Sequence, residues 1–348
     1  MARWFVGRSA AVLIALAVGA TGCAAFSAED DRVRAEEIAE RVAPGQLEVV
    51  SARNLYPQDG GAEISFRIKG DADAVVRFHV DAEKDTCRRR PCEELLAEAL
   101  AEARADAEEF RLLRREFAAC GYEVHGVRPS VADPWIAARV DGTTVRSVLT
   151  SVGECLARWA RARTGEHPPS YSVLIASPET ARDLPEGDRS QPTLARLSAT
   201  KRMGALSKHT YLRATYAWPA TGVDPASGVF SLARPFAERQ RFANAVQGEA
   251  RTWLRTAGPR LPEAVVSEYS GVWRLVPGRV DRVTGWVLYC DRPEGEHPPC
   301  TGRHALAVTA DLSGRLVGEP RVFRDVREGN GPLVLPRAPG EDTTDGRS

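Results

Sequence analysis

The stretch AEISFRIKGDADAVVRFHV, residues 62–80, decides the fold class. Ala62, Ile64, Phe66 and Ile68 alternate with Glu63, Ser65, Arg67 and Lys69, the period of a strand with one buried face and one wet face. Gly70-Asp71-Ala72-Asp73 is turn chemistry, and Val76, Phe78 and Val80 resume the alternation, so the segment reads as a β-hairpin. Shortly after it the period changes. Over 93–120, Leu96, Leu100, Ala103, Ala107, Phe110, Leu113 and Phe117 recur at intervals of three and four, which predicts one long amphipathic helix closed by Gly121. A hairpin followed by a helix that must bury a stripe implies an α+β fold, antiparallel sheet packed by helices.

The same reading extends in both directions. A helix is expected over 32–42, with Val33, Ile38 and Val42 on one side. A second long helix is expected over 144–163, its stripe formed by Val145, Leu149, Val152, Leu156 and Trp159, with two short strands before it in 123–140. Residues 171–176 read as a strand. Residues 177–206 are rich in Pro, Asp, Ser and Arg and lack periodicity, so the joint between two domains is expected there. Beyond it lie a helix over 235–256, ended by Gly258-Pro259, and strands near 272–276, 285–289, 304–310 and 321–326.

The expected organisation is a signal peptide (1–22), a tether (23–30), an N-terminal α+β domain (31–177), a linker (178–206), a C-terminal α+β domain (207–327) and a disordered tail (328–348). Each half reads as a helix followed by three strands with a short Cys-loop-Cys beside a strand end. Gly-Glu-His-Pro-Pro occurs at 165–169 and again at 295–299, which suggests that the halves are related. This element order resembles the small α+β domains of cystatin-like and PepSY-like proteins, a resemblance of fold alone.

Composition narrows the function classes. Forty-seven basic residues balance 47 acidic ones, so no net basic face is available for nucleic acid. Lys69, Lys84, Lys201 and Lys208 are the only lysines against 43 arginines, the bias of a high-GC bacterial genome.

The first 23 residues supply an address. Arg3 and Arg8 precede an uninterrupted apolar or small run of 11 residues, Ala10 to Ala20. As helix that run is about 16 Å long, too short to span a membrane and suited to a signal peptide. Ala20-Thr21-Gly22-Cys23 follows and resembles the lipobox of bacterial lipoproteins. The resemblance implies cleavage before Cys23, lipidation of Cys23 and attachment to membrane lipid on the extracytoplasmic face. The whole chain resembles lipoproteins of high-GC Gram-positive bacteria.

Six further cysteines remain: Cys87, Cys92, Cys120, Cys155, Cys290 and Cys300. An even number in an exported chain implies disulfides. Proximity favours Cys87–Cys92 and Cys290–Cys300, leaving Cys120–Cys155. The competing reading is a zinc site of four thiolates from Cys87, Cys92, Cys290 and Cys300. Arg88-Arg89-Arg90 inside the first loop and an oxidising compartment favour bridges.

No complete catalytic constellation is present, and no metal or cofactor motif is recognised, so neither is expected. H-E-x-x-H, G-x-S-x-G, the P-loop and G-x-G-x-x-G are absent. Ser198-Ala-Thr-Lys201 resembles the first motif of penicillin-binding proteins and β-lactamases, but S-D-N is missing and Lys208-His209-Thr210 is not K-T-G. Glu166, His167, Glu296 and His297 would form a metal clamp only if the two halves were related by symmetry. Glu102, Asp106 and Glu109 read as a solvated helix face, and Arg88-Arg89-Arg90 as a contact for anionic lipid or wall polymer. The expected function is a membrane-anchored, extracytoplasmic binding or interaction module of the cell envelope, partnered by membrane lipid through Cys23 and by an envelope protein or wall polymer. A tethered hydrolase-type enzyme is the alternative.

Overall fold

The computed structural model describes residues 28–56, 60–84, 87, 90–163, 167–267, 273–294, 300–327 and 331–335. Cys23, its lipobox and the second Gly-Glu-His-Pro-Pro copy lie outside them. The fold is α+β, with helices packed on antiparallel and mixed sheets. The chain divides into two compact units, Met1–Lys69 with Val76–Ala101, and Gly70–Val75 with Glu102–Ser348.

In the first unit, α1 (Glu29–Val42) precedes a three-stranded antiparallel sheet of β1 (Leu47–Asn54), β2 (Ala62–Ile68) and β3 (Val75–Val80), in that order. Alternation in β2 is kept in space: Ala62, Ile64, Phe66 and Ile68 are buried and the residues between them half-buried. The buried face of α1 is Asp31, Ala35, Ile38 and Ala39, whereas Val33 is exposed. The expected stripe was therefore misplaced by part of a turn. An acidic residue sits on the inner face because Asp31 Oδ1 accepts the Ala82 N–H at 2.8 Å, a hydrogen bond that offsets its burial.

The long helix α2 (Cys92–Ala119) begins in the first unit and enters the second at Glu102. All seven residues of its predicted stripe are buried.

The second unit is built on one ten-stranded sheet. Its elements are β4 (Val124–Arg128), β5 (Ala132–Ala137), α3 (Val145–Ala162), β6 (Ser170–Ala176), α4 (Pro178–Arg182), α5 (Thr193–Leu197), α6 (Thr200–Ser207), β7 (Tyr211–Ala217), β8 (Val229–Ala233), α7 (Phe236–Thr256), β9 (Val265–Val266), β10 (Arg274–Leu275), β11 (Arg282–Cys290), β12 (His304–Asp311) and β13 (Arg321–Phe323). The strand order is β13-β12-β11-β10-β8-β7-β6-β5-β4, with β9 also on β11. Among the described residues only β5 and β6 run parallel, and α3 makes the crossover between them.

The boundary expected at 178–206 reads differently in the structure. The segment carries α4, α5 and α6, and β6 and β7 on either side of it pair from Ser170↔Ala217 to Ile175↔Leu212. Leu184 and Leu206 pack with Trp135, Leu174 and Ala176 of the sheet, and Arg202 clamps the segment by donating to the carbonyls of His125 and Pro185. Its few apolar residues were too widely spaced to register as a period. β4, β5 and β6 of the expected N-terminal half accordingly share one sheet with the strands of the expected C-terminal half, while β1, β2 and β3 form another, and the compact units divide elsewhere.

β11 and β12 are buried on both faces. One face holds Trp286, Leu288, Ala305 and Ala307, covered by Val326, Phe323, Leu333 and Leu335. Residues 331–335, expected in a disordered tail, thus pack on the sheet, and the Val334 N–H donates to the Val326 carbonyl at 2.8 Å.

Candidate functional site

The second unit concentrates its polar chemistry at one end of the sheet. In the antiparallel ladder Tyr289 faces His304 and Ala305 faces Phe323, so the end of β11, the start of β12 and the end of β13 come together. Asp291 follows β11, Arg303 and His304 open β12, and Arg324 and Asp325 follow β13. Because β9 pairs with Tyr289 and Cys290, residues 261–263 arrive at the same place. Asp291, Glu294, Arg303, His304, Arg324 and Asp325 line a pocket of about 1000 Å³, whose apolar part is Leu261, Pro262 and Pro293. Glu263 and Arg292 complete its charged lining.

His304 is 6% exposed and central to this pocket. Its Nδ1 accepts the backbone N–H of Asp325 at 3.0 Å. A neutral imidazole so bonded carries its proton on Nε2, which lies 3.7 Å from Asp291 Oδ1, beyond hydrogen-bond reach. Burial holds the His304 imidazole below its ordinary pKa, against the opposing pull of Asp291 and Asp325. The ring also leans on Tyr289, with centroids 5.3 Å apart. Burial pushes the Tyr289 phenol up to about 12, and its hydroxyl has no hydrogen-bond partner among the described residues.

Two ion pairs frame the histidine. Arg324 Nη1 donates to Asp291 Oδ1 at 2.5 Å, and Arg303 Nε donates to Asp325 Oδ1 at 2.9 Å. Glu294 accepts the Thr301 hydroxyl at 2.7 Å and the Thr301 N–H at 3.2 Å, which lowers its carboxyl pKa. Arg327 holds the Thr301 carbonyl at 2.7 Å, and the Cys290–Cys300 disulfide closes the same loop. Among the described residues none of the lining side chains is a Ser, Thr or Cys.

The six cysteines form Cys87–Cys92, Cys120–Cys155 and Cys290–Cys300. The four thiolates of the zinc reading are thereby consumed, and among the described residues no cluster of three or more His, Cys, Asp or Glu is arranged for a metal ion. Ser198 and Lys201 do not form a helical pair: Ser198 caps α5 and donates its hydroxyl to the Leu194 carbonyl at 2.6 Å, while Lys201 is exposed on α6. His167 stacks on Trp218 with centroids 4.9 Å apart, and the other three members of the clamp reading, Glu166, Glu296 and His297, lie outside the described residues. Arg90 is held by Glu98 through two hydrogen bonds, and Arg88 and Arg89 lie outside the described residues. Glu109 is not a free surface charge. It pairs with Arg163, whose guanidinium stacks on Trp159 and Trp218.

Sequence reasoning did not select Asp291, Arg303, His304, Arg324 or Asp325. The available signal was that Asp291 and Arg303-His304 directly flank the Cys290–Cys300 loop, so that a disulfide would hold them near one another. No protein-family model, curated protein or solved structure matches this chain.

Proposed function

We propose that this chain is an exported binding module of the cell envelope, anchored to membrane lipid through Cys23, with its ligand site in the pocket around His304. The observation that carries the binding reading is the pocket itself. It presents the imidazole N–H of a largely buried histidine, 3.7 Å from Asp291 Oδ1, between two Arg–Asp pairs, and among the described residues its lining carries no Ser, Thr or Cys. Such a site positions and desolvates a polar ligand. Three disulfides support export, because they persist in oxidising compartments. Among the described residues no helix is long and apolar enough to cross a membrane, so the lipid on Cys23 is the proposed anchor.

A tethered enzyme is the second reading. What favours it is the displacement of His304 and Tyr289 in opposite directions at adjoining positions. Among the described residues the lining carries no Ser, Thr or Cys, and the free ring nitrogen of His304 is a donor, which favours binding.

The test is mass spectrometry of the protein purified from the membrane fraction of a bacterial host, combined with crosslinking in intact cells. A diacylated Cys23 at the mature N-terminus and a recurrent envelope partner or wall fragment are the expected results. An unmodified Cys23 in a soluble fraction overturns the anchor. Turnover of a substrate that is lost in His304→Gln overturns the binding reading in favour of the enzyme.

A further inference from the structure

We infer that the His304 pocket takes a small zwitterion: a ligand that carries an ammonium and a carboxylate close together, as an α-amino acid does. The inference rests on the binding reading above and names the ligand class of that site.

The pocket holds unused hydrogen-bonding capacity. His304 Nε2–H is a donor on a buried side chain that lines the pocket, and Asp291 Oδ1, 3.7 Å away, is beyond hydrogen-bond reach. That N–H opens on the pocket, where a ligand oxygen can accept it. The guanidiniums beside it can hold the same group. Arg324 gives only Nη1 to Asp291, and Arg303 gives only Nε to Asp325, so both keep N–H donors from their set of five. Each aspartate in turn orients its arginine, which lowers the entropy of engaging a carboxylate.

The same pairs leave acceptors free. A carboxylate has about four lone-pair sites. Asp291 accepts one hydrogen bond in this structure, from Arg324. Asp325 accepts one through its side chain, from Arg303. Glu263 adds a further carboxylate to the lining.

Donors and acceptors therefore alternate within one pocket, and this arrangement discriminates by sign. A simple anion that reached His304 and the guanidiniums would lie against Asp291 and Asp325. A simple cation would meet Arg303 and Arg324. A ligand carrying both charges satisfies both sets and brings no net charge into the pocket, which avoids the cost of burying an uncompensated ion. Leu261, Pro262 and Pro293 offer apolar surface for a short side chain.

The test uses the lipidated full chain in detergent, with ¹⁵N-labelled histidine and the His304 signal assigned by its loss in His304→Gln. L-alanine, the dipeptide Ala-Ala, acetate, methylammonium and inorganic phosphate are titrated separately at pH 7.5. The expected result is saturable movement of the His304 Nε2 resonance by L-alanine, at a concentration about tenfold or more below that needed for acetate or methylammonium, the factor one charge-assisted hydrogen bond provides. Asp291→Asn and Arg324→Gln should each raise that concentration by about tenfold. Arg234→Gln, outside this pocket, should leave it unchanged. Tighter saturation by L-alanine than by Ala-Ala supports an ammonium and a carboxylate set close together, and tighter saturation by Ala-Ala, whose charges are a peptide unit apart, overturns that spacing. Equal or tighter binding of acetate or phosphate overturns the inference in favour of an anion site, and of methylammonium in favour of a cation site. No movement with any of the five probes overturns it outright. Lipid on Cys23 in the same preparation is read independently, so loss of the ligand class and loss of the anchor are separate results.

Discussion

The backbone N–H of Asp325 donates to Nδ1 of His304 at 3.0 Å, across the ends of two neighbouring strands. Asp325 adopts φ 52°, in the left-handed region, to deliver that bond while its carboxylate meets Arg303. One residue therefore sets both the tautomer of the histidine and the position of a pocket arginine.

The tautomer has a consequence for pH. An unfolded imidazole titrates near 6.5, and that of folded His304 titrates lower. Between those two values the unfolded chain takes up a proton that the native chain does not, so stability falls as pH drops through that window. The His304 contribution is intact above about pH 6.5 and diminishes below it. Urea midpoints compared at pH 7.5 and 5.5 should fall further for the native sequence than for His304→Phe. Imidazole ¹⁵N shifts should show an Nε2-protonated ring at neutral pH. Equal pH dependence in the two proteins would refute the assignment.

Asp325 separates backbone strain from charge. Asn tolerates the left-handed region, so Asp325→Asn keeps the N–H and loses only an exposed ion pair, with little change in stability. A β-branched residue does not tolerate it, so Asp325→Val should cost about 1–3 kcal/mol by chemical denaturation. Similar losses in both variants would mean that the carboxylate, not the backbone, is what matters.

The three disulfides should differ in weight. Cys120–Cys155 spans 35 residues, from just beyond α2 into α3, and the chain-entropy model assigns it nearly 4 kcal/mol. Cys87–Cys92 spans 5 and merits about 2 kcal/mol. Paired Cys→Ala variants compared by denaturant midpoint should keep that order. The Cys290–Cys300 pair closes the pocket loop, so its removal should weaken ligand binding as well as stability.

Gly153 lies within α3 where the helix passes closest to its neighbours. A Cβ there would stand 2.8 Å from Tyr216 Cε1 and 2.9 Å from Pro225 Cα. Gly→Ala inside a helix ordinarily stabilises by up to about 1 kcal/mol. Here overpacking of about 1–3 kcal/mol should outweigh that gain. A raised melting temperature for Gly153→Ala would show that the contact yields.

Much of the helical structure was legible in the residue pattern. The stripe of α2 is buried at every predicted position, because a long helix repeats its signal over many turns. β1 was not legible: LEVVSARN lacks strict alternation, and its register shifts between Val49 and Ser51. The helices between β6 and β7 were missed because each is at most eight residues long. Of the pocket, only the closeness of Asp291 and Arg303-His304 to the Cys290–Cys300 loop was legible. Its charged residues are what any solvated strand end displays.

The sequence by itself determined the α+β class, the long helices and the cysteines available for bridging, because period and composition are local properties carried by side chains close together along the chain. The tertiary structure alone decided that β4 to β13 share one sheet and that Asp291, His304, Arg324 and Asp325 meet. Those residues come from different strand ends, and only backbone pairing brings them together. The low pKa of His304 likewise exists only in the folded protein, since burial produces it.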